Sequence, residues 1–245
     1  MSQRRKAALV TGAGRNIGRA VALGLAQDGF DVVVNGSSDR AACEAVARAV
    51  EAAGAGALVA MGDVGRPEDC ARIFAEATGR FGAVDVLVNN AALRPAKGFL
   101  EMGEEEWRRV IAVDLDAAVW LARACLPGMV ERGWGRIVNF TGMNAMHGYA
   151  GHSPVSVAKH GVWGLTKALA KEFGPSGITI NAVSPGPIAA DDDDLATARR
   201  DAVARIPLGR LGTPDEVAAA VRMLVSDGGA YITGQMLQVN GGGQT

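Results

Sequence analysis

The sequence has few cysteines, no long apolar segment and almost no net charge. Its three cysteines, Cys43, Cys70 and Cys125, are widely spaced and form no C-x-x-C pair, which argues against a disulfide framework and against a zinc site. No stretch reaches the length of about 18 apolar residues that a transmembrane helix needs. The polar, basic start Met1–Lys6 leads into a short apolar run rather than a secretory signal. These absences predict a soluble protein of the reducing cytoplasm.

The charge balance also narrows the classes of partner. The chain has 25 basic and 26 acidic residues, a formal net charge of −1. There is therefore no electrostatic case for binding nucleic acid or an anionic membrane surface. Hydrophobic residues make up 49% of the chain, which is ample for a full core. A small-molecule substrate and further protein subunits remain as expected partners.

Short apolar runs alternate with helical patterns along the whole chain. Strands are predicted at Ala7–Val10, Asp31–Val34, Ala57–Met61, Val84–Val88, Arg136–Phe140, Ile178–Val183 and Gln235–Val239. These runs are continuously apolar, which is typical of strands covered by helices on both faces. Right-handed crossovers then give an α/β fold of the doubly wound Rossmann type, with a seven-stranded parallel sheet between two helical layers. No linker divides the chain, so residues 1–245 are predicted to form a single domain.

Two long amphipathic patterns predict long helices at Glu104–Arg132 and Ser156–Phe173. The second pattern contains the small residues Gly161, Gly164 and Ala168, which let another helix approach closely. The two helices could therefore form a two-fold, four-helix contact between subunits of a homodimer or homotetramer. Packing within one subunit explains the same pattern equally well.

A glycine-rich turn follows the first predicted strand. The segment Thr11-Gly12-Ala13-Gly14-Arg15-Asn16-Ile17-Gly18 leads into a predicted helix at Arg19–Asp28. This order places backbone N–H groups and the positive end of a helix dipole against a pyrophosphate. Gly12 permits the turn, Gly14 permits close approach of the ligand and Gly18 permits close helix packing. The position between a strand and a helix favours a dinucleotide site over a glycine turn without a ligand.

With this turn the chain resembles the short-chain dehydrogenase/reductase family over essentially its whole length. The family pattern is T-G-x-x-x-G-x-G. Here Asn16 replaces the middle glycine, and asparagine enters left-handed backbone conformations more readily than most residues. Further matches follow in the family's order at Asp63-Val64, Asn89-Asn90-Ala91-Ala92, Ser184-Pro185-Gly186-Pro187-Ile188, Thr233-Gly234-Gln235 and Asn240-Gly241-Gly242.

The resemblance implies a dinucleotide site built from residues of several loops. Asp63 and Val64 would contact adenine, and the turn at Pro185 to Ile188 would hold the nicotinamide. The full set of expected cofactor contacts is Gly12, Gly14, Arg15, Asn16, Ile17, Gly18, Ser37, Asp63, Val64, Asn90, Ala91, Lys159, Pro185, Gly186 and Ile188.

The end of the second predicted strand bears on which dinucleotide binds. An acidic residue there would bond a free ribose 2′-hydroxyl and repel a 2′-phosphate, but the chain has Asn35-Gly36-Ser37-Ser38 and no carboxylate before Asp39. Arg15 lies within the glycine turn, where the resemblance implies a basic residue in NADP-dependent members, and Arg40 is a weaker candidate. These features favour NADP(H), with NAD(H) as the alternative. Arg15 could otherwise be a solvated loop charge.

The resemblance also implies a catalytic group, of which this chain has only part. In the family a tyrosine four residues before a helical lysine transfers a proton, an upstream serine polarises the carbonyl, and an asparagine of the preceding helix supports a water relay. Lys159 matches the lysine, but the other three positions hold Val155, Gly142 and Asp114. Valine has no exchangeable proton, so carbonyl reduction by the usual mechanism is not expected. We expect Lys159 to act mainly as a ribose clamp, with direct acid or base action as the lesser alternative.

Other polar residues near Val155 are candidates for the catalytic site. Asn144 or Tyr149 could meet the substrate, and His147 or His152 could titrate near neutrality. Each of them could instead satisfy backbone groups of the loop. Asp114 has two interpretations as well, because it could preserve a helix distortion or reach Lys159 as a carboxylate.

The resemblance implies a mobile substrate lid at about residues 188–207. This segment contains four adjacent carboxylates, Asp191 to Asp194. Such a run is typical of a solvated surface segment, although it could also attract a cationic substrate.

The predicted function is therefore that of an NADP(H)-dependent oxidoreductase with a non-standard active site. Hydride transfer is the chemistry of the cofactor, and an iminium acceptor needs no proton on the atom bonded to the reacting carbon. An imine, an amine or an activated carbonyl compound is the expected small substrate. The alternatives are a dinucleotide-binding sensor without turnover and a non-redox enzyme on the same fold.

Overall fold

The computed structural model describes residues 4–189 and 203–243. Within these ranges a seven-stranded sheet has the order β3-β2-β1-β4-β5-β6-β7, and each neighbouring pair is parallel. The strands are β1 Ala7–Val10, β2 Asp31–Gly36, β3 Ala57–Met61, β4 Val86–Asn89, β5 Gly135–Phe140, β6 Ile178–Pro185 and β7 Met236–Val239. The predicted doubly wound parallel sheet is confirmed.

Helices cover both faces of the sheet. They are α1 Asn16–Gln27, α2 Arg40–Ala52, α3 Pro67–Phe81, α4 Glu104–Ile111, α5 Ala117–Arg132, α6 Ser153–Phe173 and α7 Pro214–Val225. Val10 of β1 packs in the core beneath α1, α2 and α7, whereas the adjacent Leu9 packs in the core beneath α3 and α5. Both faces of the strand are therefore buried, as its continuous apolar pattern indicated.

Some strand boundaries differ from the prediction by one or two residues. β4 begins at Val86 rather than Val84, because Asp85 lies at the strand entrance and accepts hydrogen bonds from Arg4 and from the backbone N–H of Ala7. β6 continues to Pro185, which is in register with Val239 of β7. The extension matters for function because it carries the chain up to the edge where the candidate site lies.

The long helix predicted at Glu104–Arg132 is interrupted. A π-helical turn at Ala112–Asp116 separates α4 from α5. Such a turn inserts one extra residue without breaking the apolar stripe, so periodicity does not reveal it. One interpretation of Asp114 was that it preserves a distortion of this helix. The distortion is present, and Asp114 is buried within it.

The small residues of α6 do not all serve one purpose. A side chain at Gly161 would come within 3.0 Å of Leu115, so this glycine packs inside the subunit. A side chain at Gly164 would meet nothing within 4 Å, and Val157 on the same helix is half exposed. Part of this helix surface is thus free for another subunit, which leaves the predicted oligomer as a prediction.

Two of the predicted absences can be examined over the described ranges. All three cysteines are free thiols and all are buried. Among the helices in residues 4–189 and 203–243, none has both the length and the hydropathy of a bilayer-spanning segment.

Candidate functional site

A cavity of about 1060 Å³ opens at the carboxyl ends of the strands. It lies where the strand order turns from β1 to β4, which is the usual ligand position in an open α/β sheet. Every predicted cofactor residue except Lys159 lines it, namely Gly12, Gly14, Arg15, Asn16, Ile17, Gly18, Ser37, Asp63, Val64, Asn90, Ala91, Pro185, Gly186 and Ile188. Residues from the ends of five strands and the loops after them thus line one space of a size that suits a small-molecule ligand.

The glycine turn approaches the cavity without side chains in the way. Gly12 has a φ of +61°, and a Cβ there would lie 3.0 Å from the Ala91 Cα. A Cβ at Gly18 would overlap the carbonyl oxygen of Gly12. Asn16 has a φ of +48° and is the single non-glycine residue with positive φ in the described part of the chain. The left-handed conformation anticipated for this asparagine is therefore present.

The turn after β4 holds the glycine turn in place. The side-chain amide of Asn90 donates to the carbonyl oxygens of Thr11, at 2.9 Å, and Gly12, at 3.1 Å. The Thr11 hydroxyl accepts from the backbone N–H groups of Asn90 and Ala91 at 3.0 Å each. Asn90 therefore shapes the cavity floor through these bonds as well as lining it.

An ion pair lies on the β3 side of the cavity. At the β3 side, the carboxylate of Asp63 accepts from the Gly65 N–H at 3.0 Å and pairs with Arg109 of α4 at 2.8 Å. Arg109 also lines the cavity. Nothing in the sequence distinguished this arginine from the other solvated charges of an amphipathic helix, because its partner is 46 residues away.

The end of β2, at Asn35 and Gly36, carries no acidic group. Asn35 is buried, and its amide donates to the Ala60 and Gly62 carbonyls beside β3, at 2.9 and 3.2 Å. The sulfur of Cys43 occupies the space that a side chain at Gly36 would need. Burial, chiefly, raises the pKa of this thiol. The first carboxylate after β2, that of Asp39, belongs to a residue that lines the cavity, and it caps α2 by accepting the Ala42 N–H at 2.9 Å.

A buried ion pair lies next to the cavity. The Lys159 Nζ is 3.3 Å from the Asp114 Oδ2, and the two side chains are 5% and 0% exposed. The other carboxylate oxygen, Asp114 Oδ1, accepts the backbone N–H of Leu93 at 2.7 Å. Asp114 is buried within the π turn. Both interpretations of this residue therefore apply: it lies in a distorted part of the helix, and its carboxylate reaches Lys159.

The surroundings of Lys159 lower its pKa. Loss of solvent is the main cause and Arg94 adds to it, whereas the Asp114 carboxylate acts in the opposite direction. Lys159 does not line the large cavity. It lines a small adjoining void with Asn89, Phe140 and Val162. The predicted ribose clamp would therefore act from beneath the cavity floor.

The remaining candidate residues lie on the loop and turn that precede Lys159. Asn144 is in a short 3₁₀ turn, Met143–Ala145, and His152 is the N-cap of α6 but makes no side-chain bond to the first helical turn. The carbonyl oxygen of Tyr149 accepts the backbone N–H of His152 at 3.1 Å. These three residues are not among those lining the large cavity in the described structure. Their catalytic roles stay predictions.

The two positions that the sequence resemblance aligns with the family's tyrosine and serine have distinct environments. Val155 is 1% exposed. Gly142 has a φ of +66°, and a Cβ built there would meet nothing within 4 Å. A serine at this position would have space but a strained backbone.

Part of the predicted lid lies outside the described residues, including Asp191 to Asp194. The described end of the segment is tied down, because the Ala189 N–H donates to the carbonyl oxygen of Gly212 at 2.9 Å. Ile188 and Gly212 form an isolated parallel bridge. The chain therefore leaves the cavity edge from a fixed point.

Comparisons with known proteins agree with this geometry. Residues 12–244 match the family described as "Enoyl-(Acyl carrier protein) reductase". Nodulation protein G of Azospirillum brasilense is 41% identical over 247 residues, covering 99% of this chain and 98% of the relative. The 3-oxoacyl-[acyl-carrier-protein] reductase FabG of Staphylococcus epidermidis is 39% identical over 244 residues, covering 97% and 98%.

A solved structure shows the same arrangement of the chain. Acetoin dehydrogenase YohF from Salmonella typhimurium superimposes with a TM-score of 0.90 at 36% identity, covering 97% of this chain and 95% of that one. Fold, cavity position, glycine turn and relatives all agree. The chain belongs to the short-chain dehydrogenase/reductase family of oxidoreductases.

Proposed function

We propose that the protein binds NADP(H) and transfers hydride to or from a small substrate whose reacting carbon needs no phenolic proton donor. Imines, amines and activated carbonyl compounds are the substrate class. The observation that carries the proposal is the buried Lys159–Asp114 ion pair, 3.3 Å apart, next to an α6 first turn in which Val155 is 1% exposed. The charged part of the family's catalytic group is retained and its phenol is replaced by an apolar side chain.

The residues around the cavity fit a dinucleotide. The glycine turn leaves backbone N–H groups at the start of α1 without a side-chain cap, which suits a pyrophosphate. When bound, the nicotinamide ring supplies or accepts the hydride. Pro185, Gly186 and Ile188 at the end of β6 would hold the nicotinamide end.

Two features support NADP(H) over NAD(H). Arg15 lines the cavity and has no ion-pair partner within the described ranges, so its guanidinium is available to a 2′-phosphate. Position 36 cannot direct a carboxylate at the ribose, because Cys43 fills the space beside Gly36. Ser37 and Ser38 are exposed at the same edge and add neutral hydroxyl groups.

Lys159 and Asp114 would position the ribose and set the local charge. An ammonium group has three N–H donors. One of them points toward Asp114, so the other two remain for ribose hydroxyls. Asp114 in turn holds the Leu93 N–H, and this fixes the loop that follows β4. Val155 excludes water on this side and offers no proton.

The substrate preference follows from whether the reduced product must take up a proton in the site. Addition of hydride to an iminium carbon moves the C=N electron pair to nitrogen and gives a neutral amine, so no proton is consumed. A simple ketone would become an alkoxide and would need an acid within hydrogen-bond reach. Valine cannot provide one.

The test is a turnover assay with matched acceptors. NADPH consumption is followed with N-methyl-1-pyrrolinium, 1-pyrroline and cyclopentanone, which share ring size and differ at the reacting bond. We expect turnover of the iminium ion and much less of the ketone. Equal turnover of ketone and iminium ion would contradict the proposal. Tight NADPH binding with no turnover of any acceptor would favour a sensor role.

A further inference from the structure

Arg94 is a second cation on the cavity wall, with no partner among the described residues. It follows the turn that begins at Asn90 and lines the large cavity together with Pro187 and Ile188. Its residue surface is exposed, and within residues 4–189 and 203–243 it makes no hydrogen bond or ion pair. Arg109, by contrast, is engaged by Asp63 at 2.8 Å.

The backbone on both sides of Arg94 is fixed. The N–H of Leu93, the preceding residue, donates to Asp114 at 2.7 Å. Three residues further on, the Lys97 N–H donates to the Gly151 carbonyl oxygen at 2.8 Å, and the Lys97 ammonium pairs with Glu106 at 2.8 Å. The loop that carries Arg94 is therefore held between the π turn and the loop before α6. The backbone position from which the Arg94 side chain extends is fixed as a result.

Within the described part of the chain, the charge of Arg94 is not compensated by an ion pair. Lys159 and Asp114 cancel one another across 3.3 Å. Arg94 lines the cavity wall with Pro187 and Ile188, and its charge disfavours the charged form of Lys159 and so lowers the pKa of that lysine. Among the described groups the charge of Arg94 thus remains, and a monoanion would neutralise it.

We propose that Arg94 binds a carboxylate on the substrate, so that the substrate is a small imino acid or, in the reverse direction, the corresponding amino acid. A guanidinium presents two parallel N–H donors that match a carboxylate. This inference rests on the proposed function and names the substrate class of the same site. The hydride adds to the carbon of the iminium C=N bond next to the carboxylate, the π pair moves to nitrogen to give a neutral amine, and the carboxylate is unchanged.

The test measures binding rather than turnover. Calorimetry on NADP⁺-saturated protein compares carboxylates with their matched neutral amides, using pyrrole-2-carboxylate, oxamate and benzoate as non-reducible probes. Wild type should bind at least one carboxylate about tenfold more tightly than its amide, because a charged hydrogen-bonded pair is lost in the amide. Arg94→Gln should abolish that difference. Arg48→Gln changes another exposed arginine, on α2, and should preserve the difference.

Affinity for NADPH separates the ways in which the inference could fail. It should be the same in wild type and Arg94→Gln. If Arg94→Gln weakens NADPH binding and leaves the carboxylate preference intact, Arg94 serves the phosphates of the cofactor and the inference is wrong. If no carboxylate is preferred over its amide while NADPH still binds and the iminium ion is still reduced, the inference fails alone. If wild type binds no NADPH, the proposed function is wrong, and the inference that rests on it is wrong as well.

Discussion

The ammonium nitrogen of Lys159 lies 3.3 Å from Oδ2 of Asp114, with both side chains buried. Removing two charges from water is costly, and their attraction offsets that cost only while both are present. The pair also connects two parts of the site, because Asp114 accepts the Leu93 N–H from the loop after β4. Loss of either charge should therefore affect both stability and ligand binding.

Lys159→Met should leave the Asp114 carboxylate buried and unpaired. We expect a loss of about 3–5 kcal/mol in the free energy of unfolding, measured by urea denaturation. NADPH affinity should also fall, because the ribose loses its clamp. The double variant Lys159→Met with Asp114→Asn keeps an acceptor for Leu93 and has no buried charge, so most of the stability should return. A double variant as unstable as the single one, or unchanged NADPH affinity in Lys159→Met, would argue against these roles.

The dependence of stability on pH provides a second check on the pair. Burial lowers the pKa of Lys159 below its ordinary value of 10.5, so the unfolded chain binds more protons between the two values and stability rises with pH in that window. Asp114→Asn removes the group that raises this pKa, and the window should widen toward lower pH. Urea midpoints from about pH 7 to about pH 10 should show an earlier rise in Asp114→Asn than in wild type. Lys159→Met with Asp114→Asn should lack this component; the same early rise there would assign it to another group.

Local chemistry explains why some of the site was predictable. The glycine turn, with Asn16 in it, and the turn at Pro185 to Ile188 are each formed by consecutive residues. A short sequence motif therefore predicts them. The turn at Ala112–Asp116 did not show in the apolar periodicity. Cys43 fills the space beside Gly36 because α2 packs on β2, and Arg109 pairs with Asp63 across 46 residues of sequence, so both contacts depend on the tertiary fold rather than on a local motif.

Val155→Tyr alone should not produce robust ketone reduction. Val155 is 1% exposed, so the larger ring is expected to cost about 1–3 kcal/mol through overpacking, and no serine at position 142 polarises the carbonyl. Adding Gly142→Ser meets a backbone with φ of +66°, which disfavours serine. Val155→Phe is the size-matched control without a hydroxyl. The measurement is the rate of cyclopentanone reduction by each variant. Ready reduction by Val155→Tyr but not by Val155→Phe would contradict the prediction, because it would show that the phenol alone is sufficient.

We expect the protein to form a homodimer or homotetramer through α5 and α6. Val157 is 50% exposed and Trp120 36% exposed on these helices, and Gly164 leaves open space beside them. Val157→Glu should place a charge in the contact and shift the mass measured by light scattering toward the monomer. Leu100→Glu changes a residue that is 97% exposed elsewhere and should leave the mass unchanged. A monomeric wild type would rule this contact out.

Cofactor preference should depend on two positions at opposite sides of the adenosine end. Arg15→Ala should weaken NADPH binding by about tenfold, the value of one charged hydrogen bond, and leave NADH binding nearly unchanged. Gly36→Asp requires room that Cys43 now fills, so it is combined with Cys43→Ala. The double variant should favour NADH, because the new carboxylate bonds a free 2′-hydroxyl and repels a 2′-phosphate. Cys43→Ala alone should still prefer NADPH. Fluorescence titration of both dinucleotides measures these affinities, and an unaltered preference in the double variant would place the 2′-phosphate away from β2.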